Sequence, residues 1–244
     1  MADIFDDLES KAEQYAEKVG KAQDEVFAAL LELVDGKTSE EAIEILSQLD
    51  IGASLELKLT GGVAIFEAGV ISMLENTFTT TAPLSEKALR GLLTSVESKL
   101  SSRFTDVVGN DMRSIIVDGI STGKFPNQIL KESRERLEEL GHSVANAKKE
   151  IQTGFSQYSN SVTNVMAEKA PPETKYVYIG AFDDITRYEC DDKIAFGEAT
   201  REEIIAEFGD MNNEIWNCRH SWDELSSSPE DQGYNPKKFE GYVR

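Results

Sequence analysis

APPETKYVYIGAFDD, residues 170–184, is where the chain stops reading as helix. Pro171 and Pro172 lack the backbone N–H a helix needs, and each pushes the residue before it toward extended backbone. Just beyond them, KYVYIGAFDD alternates. Tyr176, Tyr178 and Ala181 fall on one side, and Val177, Ile179 and Phe182 on the other, which predicts a strand of about seven residues. Most of what precedes the prolines has helical period. The expected fold class is therefore α+β: a mostly helical N-terminal part followed by a small α+β module, with the prolines as the clearest boundary.

Working back from the boundary, residues 143–169 predict a helix rich in Ser, Thr, Asn and Gln. Residues 110–140 predict a helical hairpin. Met112, Ile115, Ile116 and Ile120 form one stripe, Gly123 ends the first helix, Pro126 opens the second, and Ile129, Leu130, Leu137 and Leu140 form its stripe. Ser85 caps another predicted helix, striped by Leu89, Leu92, Leu93, Val96 and Leu100. Before it, TTTAPLS reads as a break, and GGVAIFEAGVISML (61–74) as a buried helix too short to span a bilayer. SLELKLT (54–60) alternates and predicts a short strand. Residues 3–34 predict a helix that Gly20 breaks or bends, and Thr38 or Ser39 caps the next, which runs to Leu49. Downstream of the prolines, ATREEIIAEFG predicts a short helix capped by Thr200 and ended by Gly209. The expected parts are residues 1–109, a helical docking or oligomerising arm; 110–170, the hairpin and polar helix; 171–225, a compact module; and 226–244, an extended polar tail.

The 244 residues carry 45 acidic and 25 basic side chains, a formal net charge of −20. Gripping nucleic-acid phosphates needs clustered Lys and Arg, so direct sequence-specific nucleic-acid binding is not expected. The acid serves solubility, or repels DNA and meets a basic partner surface. The start, MADIFDDLES, has neither the basic nor the apolar segment of a signal peptide. Two cysteines make no disulfide framework, so the expectation is a protein made in a reducing cytoplasm, with no membrane role. No dinucleotide, phosphate-loop, zinc-protease or serine-elbow motif is present.

Both cysteines sit in unusual company. Cys190 lies in DDITRYECDDKIAF (183–196), and Cys218 in WNCRHSW (216–222) beside one of two histidines. Arg187 and Arg219 are expected to pair with Asp183, Asp184 or Asp191 in bidentate contacts that a lysine would not reproduce. Asp184 and Thr186 suit the turn after the strand. If both stretches flank one small core, Cys190, Cys218 and His220 come together. Four readings of that cluster stay open: two touching thiols with His220 hydrogen-bonded; a zinc site completed by Asp191 or Asp192; a disulfide; or a Cys–His nucleophile pair. Zinc ligands more often come in close pairs, and no glycine-rich turn surrounds either cysteine as a nucleophile would want. His142, just after Gly141, reads as a helix-end capping residue.

YIGAFDDITRYECDDKIAFG followed by WNCRHSW resembles the C-terminal module of phage minor head proteins, the head-morphogenesis family that includes the Mu F-like proteins. The family pattern is an aromatic-rich strand, an aspartate, Thr-Arg and, after two more residues, Cys, then a turn and a short strand. Asn-Cys-Arg-His or Asn-Cys-Arg-Cys follows. The matching positions are Asp183 or Asp184, Thr186, Arg187, Cys190, Asn217, Cys218, Arg219 and His220. With the hairpin and polar helix, the resemblance covers about residues 110–222. Many members carry a second cysteine at one site or the other, and His-Pro where this chain has Ile215 and Trp216. The resemblance implies a structural, non-enzymatic virion protein made in the host cytoplasm. It would act with the portal protein or major capsid protein, in multiple copies, at the head interior or portal vertex, during head assembly and DNA packaging or delivery. No cofactor is implied, with zinc left open. The alternative is a zinc-binding or Cys/His-dependent effector module. Arg187→Ala is expected to destabilise the module by leaving a carboxylate unpaired.

Overall fold

A computed structural model describes residues 2–77, 85–180, 188–211, 218 and 220–225. The architecture is α+β, mostly helical, with a small antiparallel sheet in the C-terminal part. In chain order the helices are α1 (Ala2–Val34), α2 (Ser39–Gln48), α3 (Ile51–Thr77), α4 (Glu86–Ser102), α5 (Val108–Ser121), α6 (Pro126–Glu139) and α7 (Val144–Ala167). Then come β1 (Lys175–Gly180), α8 (Tyr188–Phe196), β2 (Ala199–Thr200), α9 (Arg201–Phe208) and β3 (His220–Glu224). Two compact units divide the chain: Lys11–Phe66 with Glu97–Ile151, and Met1–Ser10 with Glu67–Val96 and Gln152–Arg244.

The first of these units is all-helical. Here α1 buries Tyr15, Val19, Val26, Leu30 and Val34 at three- to four-residue intervals and runs straight through Gly20. That glycine answers to packing, not to a break: a Cβ there would lie 2.6 Å from Val144 Cγ2. Thr38, not Ser39, caps α2. Its hydroxyl accepts the Glu41 N–H while the Glu41 carboxylate accepts the Thr38 N–H, a reciprocal capping box.

SLELKLT is helix, not strand, because it lies inside α3. Leu55, Leu57 and Leu59 fit two periods, and the longer spacing decides between them. Ile51, Leu55, Leu59 and Phe66 are buried along one face, whereas Leu57 is 78% exposed. The Asp50 carboxylate accepts the Ala53 N–H at 2.9 Å and starts the helix. A π-helical turn, Arg103–Val107, joins α4 to α5 without a break. Further on, α5 ends as expected on Gly123 (φ 76°). The Gly123 N–H reaches the Ile120 carbonyl and the Lys124 N–H the Gly119 carbonyl, the paired bonds of a left-handed helix end. The stripe of α6 is narrower than predicted. Ile129, Ser133 and Leu137 are buried, while Leu130 and Leu140 are 45% and 48% exposed.

In the second unit the strand order is β2-β1-β3, all antiparallel. Tyr178 lies opposite Trp222, and Gly180 opposite His220. As the central strand, β1 buries Tyr176, Val177 and Tyr178 in succession instead of alternating between core and solvent. Thr200 caps α9 with a capping box to Glu203, and Gly209 (φ 87°) ends it, as expected. The core gathers Tyr176, Tyr178, Ile204, Met211 and Trp222 around both cysteines. Cys190 lies on α8, which runs on to Phe196 where the family pattern has a turn after the Cys. Pro171 and Pro172 fall inside this unit, because α7 from Gln152 onward belongs with the sheet.

Candidate metal centre

The polar helix α7 holds the site in place. The Ser156 hydroxyl donates to the Cys218 carbonyl at 2.6 Å. Asn160 uses both ends of its amide: Nδ2 donates to the carbonyls of Ser156 (2.9 Å) and His220 (3.2 Å), and Oδ1 accepts the Trp222 N–H (3.0 Å). One side chain thus serves β3 as an edge of backbone would. These groups are buried, so each satisfied pair avoids a desolvation cost of about 1–3 kcal/mol.

Gripped in this way, the start of β3 brings its chemistry against α8 and β1. Cys190 Sγ and Cys218 Sγ are 3.6 Å apart. Cys218 Sγ is 3.7 Å from His220 Nδ1 and 3.4 Å from Tyr178 Oη, and it accepts the His220 backbone N–H at 3.4 Å. The His220 ring stacks on Tyr178 with centroids 5.5 Å apart, and Trp222 closes the far side of Tyr178 at 5.0 Å. Lys193 of α8 places its ammonium 5.3 Å from the centre of the Tyr178 ring and 5.8 Å from that of Phe208.

Charge in this cluster concentrates on one sulfur. A hydrogen bond from the Cys190 thiol, then others from His220 and Tyr178, hold the Cys218 thiol well below its ordinary range despite burial. Cys190 moves up, because its proton is held by Cys218, burial disfavours its thiolate, and the Cys218 charge repels a second one. Burial first, and the Cys218 charge next, push the Tyr178 phenol up. On the neighbouring β3 position, burial pushes the half-buried Asp223 carboxyl up to about 7, opposed by a hydrogen bond from Ser221.

The ligand atoms of Cys190, Cys218 and His220 all lie within 4.8 Å of one another, and all three residues are buried. Asp191 and Asp192, the expected fourth ligands, are exposed on α8 and stand outside this group. Cys190 and Cys218 are not joined by a disulfide in this arrangement. The other expected site residues, Asp183, Asp184, Thr186, Arg187, Asn217 and Arg219, lie outside the described residues, and with them the Arg–carboxylate pairs. Sequence reasoning did not single out Ser156, Asn160, Tyr178, Lys193 or Asp223 for the site. The run YSNSVTN (158–164) was a signal, since so many hydrogen-bonding side chains on a helix invite a buried polar partner. In the all-helical unit, His142 caps α6 through its backbone, donating N–H to the Leu137 carbonyl, and its Nε2 lies 2.5 Å from Asp111 Oδ2. No family model matches the chain, and neither a curated protein nor a solved structure matches it.

Proposed function

We propose that the chain is a structural minor head protein of a tailed-phage particle, acting with the portal or major capsid protein during head assembly. One observation carries this reading: the two motif halves, 28 residues apart at Cys190 and Cys218, meet in a single core. The upstream helix that completes the resemblance grips the second half through Ser156 and Asn160. The described parts of a stretch that reads as one family pattern thus pack together.

Two further features suit a structural role. Cys190, Cys218 and His220 are sealed from solvent, so the cluster supports the fold and presents no reactive group at the surface. A net charge of −20 keeps the protein from adhering to packaged DNA and leaves it free to meet a basic surface on a protein partner. The helical residues 1–109 are the part we assign to docking, and residues 171–225 are the compact knob.

The test is quantitative peptide mass spectrometry of purified procapsids and DNA-filled particles from the source phage, scaled to the portal. The expected result is a fixed ratio to the portal in at least one particle form. Absence from both overturns the reading and favours the effector module.

A further inference from the structure

Four protein atoms from three separate elements crowd one buried point: Cys190 Sγ from α8, Tyr178 Oη from β1, and Cys218 Sγ and His220 Nδ1 at the start of β3. Their mutual contacts are long and run through sulfur. Sulfur is a weak donor and a weak acceptor, and the contacts run from 3.4 to 3.7 Å. His220 Nε2 is buried and has no hydrogen-bond partner among the described residues.

The spacing has a different fit. Zinc binds thiolate at about 2.3 Å, imidazole at about 2.0–2.1 Å and oxygen at about 2.0–2.2 Å, in a tetrahedron. The edges of such a tetrahedron are about 3.8 Å between two sulfurs and about 3.5 Å from sulfur to nitrogen or oxygen. The corresponding separations here are 3.6 Å, 3.7 Å and 3.4 Å. All three edges that meet at Cys218 Sγ are therefore within about 0.2 Å of zinc geometry. The Tyr178 hydroxyl also hydrogen-bonds Cys190, so it caps both sulfurs.

We propose that Cys190, Cys218, His220 and Tyr178 form a structural site for one Zn²⁺ ion, with the Tyr178 oxygen in the fourth position. Two thiolates and a neutral imidazole cancel the ion's charge, and the ammonium of Lys193 lies over the Tyr178 ring. The ion would tie α8 to the sheet, adding a side-chain link between it and the already paired β1 and β3. This inference rests on the geometry of the cluster and stands independently of any role in a phage head.

The experiment uses the full chain, purified without chelator. Elemental analysis is expected to give one zinc per chain. Replacement by Co²⁺ is expected to give intense tetrahedral ligand-field bands and a sulfur-to-cobalt charge-transfer band. Removing the metal under native conditions is expected to lower the melting temperature and open two thiols to a thiol reagent, and zinc is expected to close them again. Cys190→Ser, Cys218→Ser and His220→Gln should each reduce bound zinc to background. Tyr178→Phe should retain zinc and shift the cobalt bands. A folded wild-type chain that takes up neither metal overturns the site, as does a native Cys190–Cys218 disulfide. These wild-type readings decide even if a cysteine variant fails to fold. A cobalt spectrum unchanged by Tyr178→Phe overturns the oxygen assignment.

Discussion

Asn160 ties the start of β3 to α7 through its side-chain amide. It has one acceptor and two amide hydrogens, and its hydrogen bonds go to Ser156, His220 and Trp222. Asn160→Ala leaves the buried His220 carbonyl with only a long sulfur contact and removes the hydrogen-bond partner of the buried Trp222 N–H. Denaturant titration should show a loss of about 2–4 kcal/mol, and Asn160→Asp should fare no better because it sets an acceptor against the His220 carbonyl. Asp223 predicts a pH dependence. Its carboxyl is raised from 3.8 to about 7 in the folded chain, so the native state holds a proton there that the unfolded state releases. Stability from this residue is fully present below about pH 4 and is lost as pH rises through 7. Melting temperature measured from pH 5 to pH 8 should fall less for Asp223→Asn than for the wild type.

Between elements, α3 and α5 approach backbone to backbone. A Cβ on Gly109 of α5 would sit 3.0 Å from the Gly52 nitrogen of α3, and backbone cannot rotate aside. Gly109→Ala should therefore cost about 1–3 kcal/mol in thermal or denaturant unfolding. Thr38→Ala, which removes one half of the α2 capping box, should cost about 1 kcal/mol in the same measurement. Caps and helix ends of this kind were legible in the sequence, since Thr38, Thr200, Gly123 and Gly209 act through their immediate neighbours. Two elements were not. Leu55, Leu57 and Leu59 satisfy both periods locally, and only the distant Phe66 shows which one the core uses. For its part, β3 is five residues long and is defined by hydrogen bonds to Asn160 and β1, neither of which its own sequence reveals. The meeting of Cys190, Cys218 and His220 could be anticipated from two odd motifs needing one core. The Tyr178 hydroxyl beside them could not, because strand alternation marks it only as a core aromatic.

For the molecule as a whole, charge and connectivity set the terms. With 45 acidic against 25 basic side chains, the folded state holds like charges closer together than the unfolded chain does. Raising ionic strength from about 10 mM to about 150 mM shrinks the screening length from about 30 Å to about 8 Å. The melting temperature should rise over that range in a simple monovalent salt, and a flat profile would show that the acidic groups are spaced widely enough to ignore one another. The two units are interleaved in sequence, with the boundary passing through α7 between Ile151 and Gln152. Neither composition nor periodicity changes at that point, so the division becomes visible only when the partners of each half of the helix are known.

The polar face of α7 has a consequence for how the protein is made. Ser156 leaves the ribosome long before Cys218, its partner 62 residues later, has been synthesised. At about 5–20 residues per second, the helix waits several seconds with that face unmatched. Had the face been leucine and valine, the nascent chain would have presented a sticky stripe to every other unfinished copy on the polysome. Hydroxyls and an amide are content with water in the interval, and they exchange it for β3 when the strand emerges.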